Sequence, residues 1–478
     1  MKRLGGYDAL LLYSQTPSVY THTMKIGVID AGRKGLTFEQ FRLLIAERLG
    51  LMEPLRYQLV DIPWKLHHPM WRENCDVDLD YHLKRVTAPG RGDRRSLDEV
   101  TAEIASTPLA RDRPLWECHF VEGLEANRVA VIGKVHHALA DGVASANLMA
   151  RAMDPARARV AAVRSLPPPD PIPTRRELIA AAARDHLDNI RTVPDLVGYT
   201  VSGITSVYRR SRNRRRHPSM ARILRAPDTF MNHVVSPRRT FASATLALAD
   251  VKEVSKRLNV TINTIVLGVA AGALRELLLH YDGHADEPLF ASVPSSLDLS
   301  PDRISGNELG GMLVSLPVQI DDPLERIRLT DLAADVAKEN YRLLGPEFTA
   351  RWTTFVPPAL APAAFAWLSR RDAKVRIFNL PISNVPGPRQ RGRFGDLTLS
   401  EIYSVGPLTA GCALNITVWS YADQFNISVL ADDCTVGDPH EVTDALVREF
   451  GQIRCAAGYS DLITPVPTAM ALVGPRLG

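Results

Sequence analysis

The run Val131-Ile132-Gly133-Lys134-Val135-His136-His137-Ala138-Leu139-Ala140-Asp141-Gly142-Val143-Ala144-Ser145 decides how the rest of the chain is read. Val129, Val131 and Val135 suit a buried strand, and Asp141-Gly142 suits a turn. A helix-like stretch follows from Val143 to Met153. The two histidines therefore sit where a strand leaves the core, rigidly held yet able to reach a substrate. Adjacent strand residues point to opposite faces, so one histidine faces a cleft and the other faces packing. Neutral imidazole is the usual general base near neutral pH. Asp141 is placed either to fix a histidine tautomer or to brace the turn, and Gly142 leaves room for a close approach.

Outward from this run, length and composition set the frame. A chain of 478 residues is too long for one ordinary core, so two domains are expected. Hydrophobic content of 45% with 23% charged residues is that of a soluble globular protein. No uninterrupted apolar stretch of about 18 residues predicts a membrane span. Met1-Lys2-Arg3-Leu4-Gly5-Gly6 reaches Asp8 before any long apolar run, unlike a signal peptide. Cys75, Cys118, Cys412, Cys434 and Cys455 are scattered without a Cys-x-x-Cys pair, so neither zinc nor a disulfide framework is indicated. A reduced, cytoplasmic chain is expected.

Net charge of +4 hides a local excess. Arg209, Arg210, Arg212, Arg214, Arg215 and Arg216 crowd one segment, with Arg222 and Arg225 beyond. Anionic lipid headgroups or the phosphates of a ligand fit such a cluster, as does a plain solvated loop. It lacks interleaved aromatics and any nucleic-acid-binding motif, so no nucleic-acid partner is expected.

In chain order, the pattern predicts a short helix from Asp8 and a strand near Met24 to Ile29. Thr37 and Gln40 form a capping box for a helix to about Leu49. Strand material spans 56 to 60, includes Trp64 and Leu66, and resumes from Tyr81 to Val86. A second pair, His67-His68, lacks a following Asp-Gly and reads as surface or cleft rim. A helix over 96 to 107 is expected, capped by Ser96, then a strand from Pro114 to Val121. Alternation separates Cys118 from His119 and argues against a Cys–His nucleophile. Pro167 to Pro173 reads as a semi-rigid linker. Two helices are expected on either side of Pro194. The second half predicts strands over 239–248, 290–294 and 310–318, helices over 263–279 and 322–343, and a rigid turn over 381–388. Paired strands over 408–420 and 424–430 and a last helix over 438–453 follow. Residues 355 to 368 are apolar but Pro-broken, suited to lining an apolar tunnel, an interfacial contact or plain core packing.

His136-His137-x-x-x-Asp141-Gly142 resembles the signature of the CoA-dependent acyltransferase superfamily, which includes chloramphenicol acetyltransferase and peptide-synthetase condensation domains. The wider sequence resembles the bacterial wax ester synthase/diacylglycerol acyltransferase family, especially its actinobacterial triacylglycerol synthases. Tyr7-Asp8-Ala9-Leu10-Leu11, Arg113-Pro114-Leu115-Trp116-Glu117 with Glu122-Gly123-Leu124, Gly306-Asn307 before Asp322-Pro323-Leu324-Glu325-Arg326, and Ile382-Ser383-Asn384-Val385-Pro386-Gly387-Pro388 carry the likeness over residues 7 to 388. The resemblance implies an α/β fold of two chloramphenicol-acetyltransferase-like lobes forming a pseudo-dimer with a central channel. Residues 1–160 form the lobe with the histidine motif, 161–238 a Pro-rich and Arg-rich crossover, and 239–478 the second lobe. It implies a site of His137 as base with His136, Asp141 and Gly142. Asn384, Ser383 and Gly387 are its candidates for substrate contact. No metal or cofactor is implied. Acyl-CoA is the co-substrate, diacylglycerol or a long-chain fatty alcohol the acceptor, and the inner membrane face or a lipid droplet the peripheral partner. A metal-dependent hydrolase and a non-catalytic lipid carrier are the rival readings.

Overall fold

Two mixed sheets of six strands organise the computed structural model, which describes residues 1–33, 35–153, 167–213, 226–371, 376–394, 397–460 and 462–471. The first half supplies β1 (His22–Asp30), β2 (Leu83–Thr87), β3 (Trp116–Leu124) and β4 (Arg128–His136). Their spatial order is β1-β4-β3-β2, antiparallel at the first two pairings and parallel at the third. The second half supplies β5 (Arg239–Ala247), β6 (Leu289–Ser296), β7 (Leu309–Leu316), β8 (Leu380–Pro386), β9 (Leu397–Val405), β10 (Leu414–Tyr421) and β11 (Gln424–Asp432). The order β5-β11-β10-β8 repeats the first sheet's arrangement, with the same sense at each pairing. β6 and β7 extend it beyond β8. Two lobes of like topology follow, although no sequence repeat announces them.

β9 breaks the expected division of the chain. It pairs antiparallel with β1 and so belongs to the first sheet, together with the short strand Arg393–Phe394. Residues 239–478 are therefore not a self-contained lobe. Leu399 and Ile402 fill one core of the first half, and Tyr403 and Val405 fill another. Covering the open edge of β1 satisfies a row of backbone groups that would otherwise face solvent or a second chain.

The helices include α1 (Gly6–Tyr13), α2 (Phe38–Arg48), α3 (Arg94–Ala105), α4 (Gly142–Met153), α5 (Arg175–Asn213), α6 (Ile262–Tyr281), α7 (Pro323–Leu344), α8 (Phe348–Thr353) and α9 (His440–Ala456), with further ones at Leu79–His82, Leu248–Leu258 and Ala361–Leu368. The capping box at Thr37 and Gln40 forms as the spacing predicts. Three expectations change. Asp93, not Ser96, caps α3, and the Ser96 N–H donates to it. Pro194 does not end a helix: α5 runs 39 residues through it. Packing on both sides outweighs the lost bond, with Leu178 and Ala182 against Ile62, and Gly203 close against Leu344. Residues 380–386 form β8 rather than a turn, because β6 and β10 flank them in the sheet. α6 is apolar and long enough to cross a membrane by composition, but it is a core helix of the second lobe, with Val266, Ala270, Ala273 and Leu277 buried. Arg214, Arg215, Arg216, Arg222 and Arg225 lie outside the described residues, as does the boundary at 160.

Candidate active site

His136 and His137 sit at the end of β4, as the alternation predicts, but with very different surroundings. His136 is buried. Its Nδ1 accepts from the Ala138 N–H at 3.1 Å, so the proton resides on Nε2, which faces Thr21 Oγ1 at 2.9 Å and Gln15 Oε1 at 3.0 Å. Every polar atom of the ring is occupied, and burial pushes its pKa down to about 3. His136 is a neutral brace for the loop.

His137 is partly exposed. Its N–H extends the β1–β4 ladder by one step, donating to Thr21 O at 2.8 Å. Its carbonyl accepts from Asn307 Nδ2 at 2.7 Å. The ring Nδ1 makes no hydrogen bond of ordinary geometry, while the residue's own carbonyl and the Asn307 side chain act to raise the imidazole pKa. With the proton on Nδ1, Nε2 is the ring nitrogen that acts as base. Burial, the largest influence, lowers the imidazole pKa, and Asp141 opposes the shift. The ring is thus neutral at physiological pH, the form a general base requires.

Asp141 is buried, and both its oxygens are occupied. Oδ1 accepts from the Ala144 N–H at 2.9 Å, capping α4, and from Arg303 Nη2 at 3.1 Å. Oδ2 meets Arg303 Nη1 at 2.9 Å and the Glu308 N–H at 3.1 Å. Asp141 therefore braces the loop and has no free lone pair for proton transfer. Arg303, from the second half, is its ion-pair partner. The same segment clamps the loop through its backbone: Gly306 N–H donates to Leu139 O at 2.8 Å, and Asp141 N–H to Gly306 O at 3.2 Å. Gly306 has φ +78°, a left-handed conformation that glycine adopts freely.

Gly142 begins α4 against the second lobe. A Cβ there would lie 3.1 Å from Val385 Cγ2 on β8. The histidine motif and the Ser-Asn-Val-Pro-Gly-Pro block thus meet directly. Alternation along β8 puts Ser383 and Val385 on the face toward Gly142 and turns Asn384 to the other face, with the core residue Ile382. The second-lobe amide that reaches the loop of His137 is instead Asn307. Gly387 serves close packing: a Cβ would fall 2.2 Å from Trp419 Nε1 and 2.3 Å from Ser420 O.

Asp8 completes the site and was legible only as part of a resembling block. Its Oδ1 accepts from the Asn307 N–H at 3.1 Å and from Asn307 Nδ2 at 2.7 Å, fixing the amide that holds His137. Burial raises the Asp8 pKa to about 7. Asn307 and Arg303 are far from the histidines in sequence, and no local spacing ties them to the motif. The other pair, His67-His68, stands apart. His68 faces Tyr13 Oη at 2.9 Å and Thr354 O at 3.1 Å, and His67 Nδ1 accepts from the His68 N–H at 2.8 Å.

Comparison with known proteins agrees with this arrangement. The sequence profile of the wax ester synthase/diacylglycerol acyltransferase catalytic domain matches residues 4–266, and that of the C-terminal domain matches 305–454. A Mycobacterium tuberculosis protein provisionally named a diacylglycerol O-acyltransferase is 56% identical, over 98% of this chain and 100% of its own. The O-acyltransferase WSD of Acinetobacter baylyi is 30% identical, over 77% of this chain and 79% of its own. Among solved structures, the wax ester synthase/diacylglycerol acyltransferase of Marinobacter aquaeolei superposes with a TM-score of 0.66 at 25% identity, covering 95% of this chain and 100% of that one. The first condensation domain of the CDA synthetase shares the fold, with a TM-score of 0.60 at 15% identity, covering 97% of this chain and 98% of that one. Two like lobes, a histidine loop clamped between them and matching profiles over most of its length place the chain in the wax ester synthase/diacylglycerol acyltransferase family.

Proposed function

We propose that the protein moves a long-chain acyl group from acyl-CoA to the hydroxyl of diacylglycerol, with a long-chain fatty alcohol as the alternative acceptor. His137 Nε2 takes the acceptor proton. The alkoxide attacks the thioester carbonyl, and collapse of the tetrahedral intermediate expels the CoA thiolate, which takes the proton back from His137. A thioester is already activated, so a single base suffices without a covalent acyl-enzyme. One observation carries this reading: of two adjacent histidines, only His137 keeps a ring nitrogen uncommitted, on a neutral ring between two lobes. Ser383 lies on the β8 face nearest this loop and is the block's candidate for substrate contact. A metal-hydrolase reading would need Asp141 as a ligand beside His137, but its oxygens are taken by Arg303 and backbone N–H groups.

Contact with an anionic membrane or droplet surface at the cytoplasmic side belongs to the same proposal, since both acceptors reside in lipid. Its support is α5. Leu187, Ile190, Val193, Val197, Val201 and Ile204 recur every three or four residues on this helix and are exposed. Exposed Trp352 joins the same side through its Nε1–H to Thr200 Oγ1. Arg184 and Arg191 are exposed alongside.

The test is thiol release from palmitoyl-CoA against a panel of alcohols, with products resolved by thin-layer chromatography. Triacylglycerol or wax ester is expected from the wild type and neither from His137→Ala. Undiminished output from His137→Ala would sink the general-base reading and favour a carrier. Ile190→Glu with Val201→Glu is expected to cut cosedimentation with anionic vesicles while sparing turnover in detergent.

A further inference from the structure

The first sheet carries a polar group that the mechanism above does not use. Lys25 lies mid-strand on β1, opposite Gly133 of β4 on one side and Ser404 of β9 on the other. Residues directly opposite across an antiparallel pair share a face. By the same register His137, whose N–H continues the ladder to Thr21, is on the Lys25 face. That face is otherwise apolar in its middle, with Val131, Val135, Trp116 and Cys118.

Lys25 is half-buried, and among the described residues no carboxylate lies within ion-pairing distance of it. Its Nζ donates to Ser404 Oγ at 2.5 Å and lies 4.3 Å from the centre of the Trp419 ring, which reaches across from β10. An ammonium has three N–H donors, so two remain without an acceptor of their own. Directly beside it, nothing lies within 4 Å of a Cβ built on Gly133. A cation with spare donors therefore borders open space on the face that leads to the catalytic loop. A lysine held partly out of water without a counter-charge is costly to keep, and desolvation lowers its pKa to about 7. The charge of Asp141 is felt at this amine, and the charge of the amine is felt at His137.

We propose that Lys25, with Ser404 and Trp419 holding it, is a substrate-binding residue that donates to a carbonyl oxygen of the lipid lying over Gly133. Resting on the acyl-transfer reading, this leaves two sources for that oxygen: an ester carbonyl of diacylglycerol, or the acyl thioester carbonyl itself. A fatty alcohol has no carbonyl, so the acceptor panel separates them.

Lys25→Met keeps the length and removes the donors. Steady-state kinetics of Lys25→Met, Lys25→Arg and Ser404→Ala would be compared with wild type, using palmitoyl-CoA with diacylglycerol or hexadecanol, and melting temperatures recorded for each. A roughly ten- to hundredfold fall in kcat/KM for Lys25→Met, as loss of a charged hydrogen bond gives, is the expected result. If it is confined to diacylglycerol, Lys25 holds the acceptor ester. If it is equal for both acceptors and partly restored in Lys25→Arg, with a smaller fall in Ser404→Ala, Lys25 holds the thioester. Two results overturn the assignment: Lys25→Met within twofold of wild type on both acceptors, or Lys25→Met and Ser404→Ala losing equal activity together with an equal fall in melting temperature, which makes the amine a brace between β1 and β9. Wild-type turnover in the same assay distinguishes failure of this inference from failure of acyl transfer.

Discussion

Two adjacent-histidine pairs in one chain have opposite fates. At His67-His68, the His68 nitrogens meet Tyr13 Oη and Thr354 O, while His67 Nδ1 takes the next backbone N–H. Burial lowers both pKa values, that of His67 to about 4. At His136-His137, only the first ring is consumed in this way. The second projects past the end of β4, where its carbonyl is held by Asn307 and its ring is not tied down. A histidine pair is therefore no signal by itself. What separates the two is whether the neighbouring chain saturates the rings or fixes the backbone and leaves a ring free.

The sharpest break in this comparison comes from truncating one ring of each pair. His137→Ala is expected to cost about 10²- to 10⁴-fold in kcat, the usual contribution of a general base, with little change in melting temperature. His68→Ala should leave kcat within a few-fold. Equal kinetic losses would mean that the pairs do not differ as described.

Next in size is the clamp that the second pair has and the first lacks. Arg303→Met strands Asp141, a carboxylate buried among backbone donors, and is expected to cost about 3–5 kcal/mol of stability by denaturant titration. His68→Ala is expected to cost less, about 1–3 kcal/mol, the penalty for leaving Tyr13 Oη and Thr354 O unpaired. If the order were reversed, the junction between the lobes would not be the critical brace.

The smallest effect is a pH slope. The folded-state pKa of His136 is about 3, against about 6.5 in the unfolded chain. Between these values the unfolded chain binds the extra proton, so folding stability is complete above about pH 6.5 and falls as pH drops toward 3. The slope is about 1.4 kcal/mol per pH unit for this one group. Denaturant midpoints measured from pH 7.5 to 4.5 should show the fall, and His136→Gln should flatten it by about that amount. The pKa of His137 is also depressed, so the acid limb of kcat/KM should lie below 6.5 rather than above it.

Much of this was legible in the chain. Alternating valines and the Asp-Gly turn located β4 and α4 and set the histidines at a strand end, because period-two burial and turn chemistry act over a few residues. Thr37 and Gln40 announced their capping box for the same reason. The Ser-Asn-Val-Pro-Gly-Pro block offers Asn384 as a second-lobe candidate near the channel, whereas the amide that holds the His137 carbonyl is Asn307 and carries no such local mark. Residues 381–388 resembled a turn because their prolines and glycine carry a local preference that two flanking strands override.

By itself, the sequence determined most of the local pieces: the strand and turn around His136-His137, the capped helix after Thr37, and the family those motifs identify. The tertiary structure alone decided the partnerships across long separations. β9 crosses into the first sheet, Arg303 pairs with Asp141, Asp8 and Asn307 fix the carbonyl of His137, and Lys25 faces open space beside Gly133. The physical reason is range. Propensity and periodicity are written in neighbouring residues, whereas a buried charge or an edge strand finds its complement wherever packing brings the chain back, and single-residue patterns do not encode that distance.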